Sequence, residues 1–410
     1  MTTKLNFDVI VVGGGMVGAA VACALGGSSL SVAVIEQMEP QSFAKDQSHD
    51  LRVSALSIAS KRILETLGAW QGVISRRYCP FRRMRVWETA GDTEFCSDDI
   101  GYSELGFIVE NRITQLALLE RLKDFSNVTL ICPAAIKNIE YDPLASVECS
   151  TIVLDDGREI TAKLVVAADG GQSRIRQKVG LGVTSWDYKQ HAMVIYVETH
   201  YPQQDITWQR FLPSGPQAFL PLNGPFASLV WYNSVDEIQR LKSLPHAQLM
   251  VELKEAFPEC LGDLKAILGT ASFPLKRQHA QDYVKQGIAL VGDAAHMINP
   301  LAGQGVNIGL LDAAALGEVV LDAYRSGEFI GDIQVLKRYE KTRKLENLRM
   351  MTVMDAFYQI FSNKILPLKI IRNFGLGLAG RIKPAKNKVM RYAMGLEGDL
   401  PKLARGEPIL

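Results

Sequence analysis

No Cys-x-x-Cys pair and no other metal-ligand spacing occurs among the six cysteines, Cys23, Cys79, Cys96, Cys132, Cys149 and Cys260. That absence excludes a zinc-ribbon or thioredoxin-like reading and leaves reduced, mostly buried thiols of a cytosolic protein. Net charge is also nearly missing: 45 basic against 44 acidic residues leave +1, so bulk electrostatics gives no reason to expect nucleic acid or an acidic partner. Internal repeats and low-complexity stretches are lacking too, which removes solenoids from consideration.

Two stretches lack charge locally. Val9 to Ile35 carries no charged residue, the profile of a signal peptide or a membrane span. Gly13, Gly14, Gly15 and Gly18 interrupt it and only Lys4 supplies a basic flank, so the expectation is a mature cytoplasmic N-terminus. Between Asp355 and Glu397 there is no acid, while Lys364, Lys369, Arg372, Arg381, Lys383, Lys386, Lys388 and Arg391 alternate with apolar residues. Such a segment suits an anionic membrane surface, and it equally suits a helical cap on the core with a solvated cationic face.

What is present is a chain of 410 residues, 47% hydrophobic and 22% charged. It is globular and long enough for two lobes. The apolar run Phe7 to Val12 leads into Gly13-Gly14-Gly15-Met16-Val17-Gly18 and then a small-residue helix from Ala19. This is Gly-x-Gly-x-x-Gly between strand and helix: a tight turn at Gly13, close approach of a pyrophosphate at Gly15, and close helix–strand packing at Gly18. A second strand, Ser31 to Ile35, ends at Glu36, where an acid can bond the ribose of an adenine nucleotide. The motif does not separate FAD from NAD.

Two more apolar strands end in an acid. Leu164 to Ala168 meets Asp169-Gly170-Gly171, then a helix carrying Ser173 and Arg176. Gly287 to Val291 meets Gly292-Asp293-Ala294-Ala295-His296, then Pro300, Gly303 and Gly305 and a helix from Val306 to Leu316. A glycine-rich helix start beside a strand-end carboxylate suits a polar, partly anionic cofactor. Three sites of one type point to one ligand. Arg52 offers a planar fork of donors for a cofactor phosphate, with a solvated surface arginine as an equal alternative. Helices are expected near Lys61–Leu67, over Glu110 to Leu119 with Asn111 or Thr114 at its cap, over Gln248–Ala256 and over Leu336–Met354. From Val183 to Phe273 short aromatic strands predict a mixed sheet forming a second lobe. Its aromatic stripe reads as core first and as a chamber lining second.

On these residues the chain resembles the aromatic-ring flavoprotein monooxygenases of the p-hydroxybenzoate hydroxylase fold, and within them the ubiquinone-biosynthesis hydroxylases. The resemblance spans nearly the whole chain: Gly13 to Gly18, Arg52 to Leu56, Ala168 to Arg176, Gly292 to His296 and Gly303 to Asn307. Similarity in Gly215 to Leu222, in Ile298 to Gly305 and in Phe361-Ser362-Asn363 leans toward the demethoxyubiquinol step. It implies an α/β fold in three parts. A discontinuous Rossmann-like FAD-binding domain takes 1–80, 106–182 and 274–345, a mixed-sheet substrate domain takes 81–105 and 183–273, and a C-terminal helical segment takes 346–410.

The resemblance also implies roles. Glu36 holds the adenosine ribose, the amides of Gly15 and Met16 hold the pyrophosphate, and Arg52, Arg112 and Gln115 contact FAD. Asp169 serves the pyrophosphate region and the passing nicotinamide cofactor, Asp293 bonds the ribitol, and Gly303, Gly305, Val306 and Asn307 face the flavin. NAD(P)H, for which there is no second fingerprint, visits transiently to reduce FAD. Oxygen is then activated as a flavin C4a-hydroperoxide and attacked by a polyprenylated quinol or phenol ring, with no metal required. His296, Asn299 and Pro300 are the candidates for steering the substrate, although a histidine in such a turn is more often structural. Attack at another ring position, a reductase without oxygen insertion, and a flavin-bearing scaffold of a quinone-biosynthesis assembly stay open, as does a homo-oligomer. The expected location is cytoplasmic, with the basic tail as a peripheral contact on the inner face of the membrane or with such an assembly.

Overall fold

The computed structural model describes residues 4–88, 92–141, 149–258, 262–298, 305–361 and 383–410. Apolar runs with no polar alternation bury both faces, which is the behaviour of central strands in a parallel sheet covered by helices. Val9–Val12, Val32–Ile35 and Leu164–Ala167 are such runs, all buried. The strand Lys4–Val12 pairs in parallel with Glu159–Ala167 on one side and with Val32–Ile35 on the other. Val128–Ile131 and Ile288–Leu290 extend the parallel set outward. A hairpin of Ile136–Glu140 and Ser150–Leu154 is added antiparallel to Glu159–Ala167.

Helices Met16–Leu25 and Gly305–Arg325 pack on each other through small residues. A Cβ at Gly309 would lie 2.6 Å from Val17 Cγ2, and one at Gly317 would lie 2.8 Å from Ala24 Cβ. The α/β class and the Rossmann-like core are as expected.

The second sheet is the mixed one. In order it comprises His296–Met297, Leu264–Ala280, Val183–Thr199, Phe226–Ser234, Gln217–Pro221, Ile206–Arg210, Arg83–Trp87 and Asp92–Cys96. One pair, Ile206–Arg210 with Arg83–Trp87, is parallel, and the others are antiparallel. Period-two alternation sorts its two faces. Met193, Ile195, Val197, Trp208, Phe219 and Trp231 bury against Ile238, Leu241, Leu249 and Leu253 of helices Val235–Ser243 and His246–Ala256. Ala192, Phe211, Tyr232 and Leu275 form a separate cluster, with Phe273 and Met354 against it. Part of the aromatic stripe is therefore core. Leu264–Ala280 runs unbroken across residues 273 and 274, and His296–Met297 joins this sheet directly after the Asp293 turn.

Several expected boundaries shift for local reasons. The helix expected at Lys61 begins at Ile58, because Ser57 accepts a hydrogen bond from Ser60 N at 3.2 Å and caps it there. The helix after Glu110 is Asn111–Leu122, and neither Asn111 nor Thr114 caps it. The long helix runs Ile333–Phe361. Val235–Ser243 was not expected. Cys23 and Cys79 are buried, with thiols pushed up to about 12 by burial. Cys96 and Cys132 are half-buried and Cys149 is exposed, so among the described residues fewer thiols are buried than expected, and Cys260 lies outside them.

At the C-terminus, helix Lys383–Ala393 and the turn Lys402–Arg405 lie on the main core, with Met390, Met394, Leu403, Ala404 and Ile409 buried. Lys386 pairs with Asp99 at 2.8 Å and Arg391 with Glu397 at 3.2 Å. This part of the basic tail caps the core, while residues 362–382 lie outside the described residues. No helix among the described residues is long and apolar enough to cross a membrane.

Candidate functional site

The parallel register brings three strand ends to one edge: Val12 stands beside Ala167 and Ala167 beside Leu290. In open α/β sheets ligands bind outside this carboxyl edge. At the first strand end Gly13 has φ +101°, and a Cβ there would lie 2.5 Å from the Ala168 carbonyl oxygen. A Cβ at Gly18 would lie 1.9 Å from Gly13 O, whereas one at Gly15 would meet nothing within 4 Å. Two glycines are thus required by the fold, and the third faces open space at the N-terminus of helix Met16–Leu25. Glu36 Oε2 accepts from Gly14 N at 2.7 Å and Oε1 from Met38 N at 3.0 Å, while Gln115 Nε2 donates to Gly14 O at 2.9 Å. Both side chains therefore shape the fingerprint loop, and each carboxylate oxygen of Glu36 keeps a lone pair for a further donor.

At the second strand end Asp169 Oδ2 accepts from Arg174 N at 2.8 Å and Ile175 N at 3.3 Å. Its Oδ1 is buried with no partner. Buried polar atoms are normally paired, so this oxygen is fitted to a donor from a ligand or water. Arg176, buried, donates to Ala294 O at 2.7 Å and Gly171 O at 2.9 Å, tying the second strand end to the third.

At the third, Asp293 is open to solvent, yet enclosure by protein pushes its carboxyl up, opposed by His296 and Arg52. Accessible but surrounded is the condition of a group on the wall of a cleft. Arg52 is exposed and its guanidinium has no partner among the described residues.

Helix Gly305–Arg325 begins at this edge, and a Cβ at Gly305 would meet nothing within 4 Å. Val306 is half-buried. The Asn307 side chain locks the helix to the neighbouring segment: Oδ1 accepts from Ser57 N at 2.9 Å and Ser60 Oγ at 2.6 Å, and Nδ2 donates to Ala55 O at 2.8 Å. Asn299, Pro300 and Gly303 lie outside the described residues.

Two expected site residues are engaged elsewhere. Arg112 makes a fork to Asp50, both contacts at 2.8 Å, and donates to the carbonyls of Gln41 and Ser42. His296 is turned inward, its Nε2 2.5 Å from Asp312 Oδ2 and its side chain 1% exposed. Asp312 itself had no expected role. Burial pushes its carboxyl up, but His296, Arg343 and Asn347 outweigh that and leave it at about 2. Ionised, it only accepts, so His296 Nε2 carries the proton of this bond.

The arrangement fits a dinucleotide with a flavin: room at Gly15 and Gly305, an unpaired acceptor on Asp169, an accessible carboxylate on Asp293 and an unpartnered guanidinium on Arg52. The model of the FAD binding domain family matches residues 6–353. The chain is 43% identical to 3-demethoxyubiquinol 3-hydroxylase of Escherichia coli (strain K12) over 96% of its own length and 100% of that protein. It is 37% identical to the ubiquinone hydroxylase UbiL of Rhodospirillum rubrum, over 98% and 93%. It is 32% identical to the human mitochondrial ubiquinone biosynthesis monooxygenase COQ6, over 96% and 93%. Among solved structures, p-nitrophenol 4-monooxygenase PnpA of Pseudomonas putida DLL-E4 superposes with a TM-score of 0.78 at 18% identity, covering 97% of this chain and 100% of that one. At that identity the likeness is one of fold.

Proposed function

We propose, from the premise that the chain belongs to the FAD binding domain family and is an FAD-dependent monooxygenase, that it hydroxylates a polyprenylated quinol or phenol ring in ubiquinone biosynthesis, at the demethoxyubiquinol step. The observation that carries this reading is the end-to-end match to a hydroxylase of that step, in a chain whose strand-end edge offers space and unpaired polar atoms for FAD. A second reading is attack at another ring position of the same pathway, favoured by the similarly complete match to hydroxylases of other names.

In this reading the first-turn amides at Gly15 and Met16 hold the pyrophosphate, because a helix N-terminus presents unpaired N–H groups and a positive dipole end. Glu36 takes the ribose hydroxyls, Asp293 the ribitol, Asp169 Oδ1 a further donor, and Arg52 a phosphate or the ring edge. Gln115 holds the loop that carries the Gly15 and Met16 amides, and Arg112 acts through Asp50 on the segment leading to Arg52. When bound, FAD supplies what the side chains lack, accepting electrons from a transient NAD(P)H and using them to insert one oxygen atom of O2 into the ring.

The chain's own residues bind, align and exclude water. Gly305, Val306 and Asn307 open a helix whose N-terminus would favour negative charge on the reduced ring, and Gly303, two residues earlier in sequence, is assigned to the same contact. Asn299 and Pro300 follow the Asp293 turn and are assigned to steering the substrate. His296 is assigned to positioning, through Asp312.

A polyprenyl chain partitions into lipid. The basic, apolar segment at 362–382 is accordingly assigned to contact with an anionic membrane surface or a quinone-biosynthesis assembly, and a homo-oligomer is compatible with either. Purified protein incubated with FAD, NADPH or NADH, a short-chain demethoxyubiquinol and isotopic O2 tests the reaction. One labelled oxygen in the product ring supports it, and NAD(P)H oxidation that yields only hydrogen peroxide overturns it.

A further inference from the structure

Asp312 lies within helix Gly305–Arg325, fully buried, and both of its oxygens are saturated. Oδ2 accepts from Gly292 N at 3.1 Å and from His296 Nε2 at 2.5 Å. Those residues flank Asp293 on either side. Oδ1 accepts from Arg343 Nε at 2.9 Å and Asn347 Nδ2 at 3.0 Å, and Arg343 also donates to Asn347 Oδ1 at 2.7 Å. The same helix sits directly on the turn, since a Cβ at Gly309 would lie 3.3 Å from Gly292 Cα. One carboxylate therefore grips the Asp293 turn at two points and is itself held by the long helix Ile333–Phe361. About two turns of helix separate it from Gly305, on the same rigid rod.

We propose that Asp312 is a positioning residue for the cofactor: it makes the Asp293 carboxylate and the helix N-terminus at Gly305 a single rigid unit against which the flavin is aligned. The inference rests on the reading of this edge as an FAD site. Carboxylate charge is needed for the role, because Arg343 is buried and pairs with no other acid among the described residues. An amide at 312 would keep the shape but could no longer accept from all four donors at once.

A double-mutant cycle on FAD binding to apoprotein, read by flavin fluorescence and by visible circular dichroism of the bound flavin, tests the proposal. D312N is expected to weaken FAD about tenfold and to alter the dichroism, yet to add less than about twofold in a D293A background, because residues that act through one another are non-additive. D312N/R343M removes both buried charges. It is expected to recover the melting temperature of the apoprotein but not the affinity or the dichroism, and it replaces D312N in the cycle if D312N does not fold. Additive losses with D293A, or affinity that returns together with stability in D312N/R343M, overturn the proposal and leave Asp312 a structural ion-pair member. FAD binding undiminished in D293A instead overturns the reading of the site.

Discussion

The fingerprint at Gly13–Gly18 and the turn at Gly292–His296 follow two strands of one sheet, with Glu159–Ala167 between them, and face the same edge, but they are held by different physics. The fingerprint is shaped by the absence of side chains: Gly13 and Gly18 leave no room for a Cβ, and the side chains of Gln115 and Glu36 hold it through backbone atoms of Gly14. The turn is shaped by a buried ionic cluster whose members, Asp312, Arg343 and Asn347, come from two later helices. A steric device is insensitive to pH and salt. A buried charge cluster is costly to break, because each partner left behind is a desolvated ion.

The largest expected effect is therefore on the turn side. D312A strands the Arg343 guanidinium and is expected to cost about 3–5 kcal/mol of unfolding free energy. Equilibrium urea unfolding of the apoprotein checks this, and a loss below about 1 kcal/mol would show that the cluster does not hold the turn. On the fingerprint side, G18A places a methyl against Gly13 O and is expected to cost roughly 1–3 kcal/mol by overpacking. It should also weaken FAD, measured by fluorescence titration, since the loop must move to admit it.

The buried charge cluster should also show in the pH profile, below a step that two buried histidines outside both regions set. Asp312, at about 2 against an ordinary 3.8, contributes stability that is full above about pH 4 and is lost as pH falls toward 2. His49 and His279 are each pulled down to about 4 from 6.5, first by burial and then by nearby cationic groups. Their contribution is full above about pH 6.5 and is lost on falling toward 4. Melting temperatures of the apoprotein across this range are expected to drop in two stages, and a flat profile between pH 6.5 and 4 would contradict the histidine part. The smallest effect belongs to Q115A, which removes one hydrogen bond to the fingerprint loop and is expected to cost about 0.5–1.5 kcal/mol in the same unfolding assay.

The contrast also explains what could be read in advance. Glycine spacing, the strand-end acids at 36, 169 and 293 and the mixed aromatic sheet are patterns within short windows, and each is legible there. Asp312 reads locally as one acid in a helical run of leucines and alanines, and its donors Arg343 and Asn347 lie 31 and 35 residues further on. Arg112 shows the same limit in reverse. Its helix was visible, but its partner Asp50 lies 62 residues earlier in a loop.

One missed element did carry a signal. Ser234 followed by Glu237 has the sequence of a capping box, and the Ser234 side chain accepts from Glu237 N at 3.3 Å to start Val235–Ser243. His296 stood beside the flavin loop in sequence and turned inward because a buried acid claimed its Nε2. Sequence proximity to a site does not decide which way a side chain points.

On the proposed function, this edge binds FAD and serves ring hydroxylation. Mass spectrometry of quinone intermediates tests it most directly, in a strain deleted for its own demethoxyubiquinol hydroxylase and carrying this chain or its D293A variant. The wild-type chain is expected to consume the accumulated demethoxy precursor and restore the mature quinone, and D293A is expected to leave the precursor in place. Persistence of the precursor with the wild-type chain, or full restoration by D293A, would contradict it.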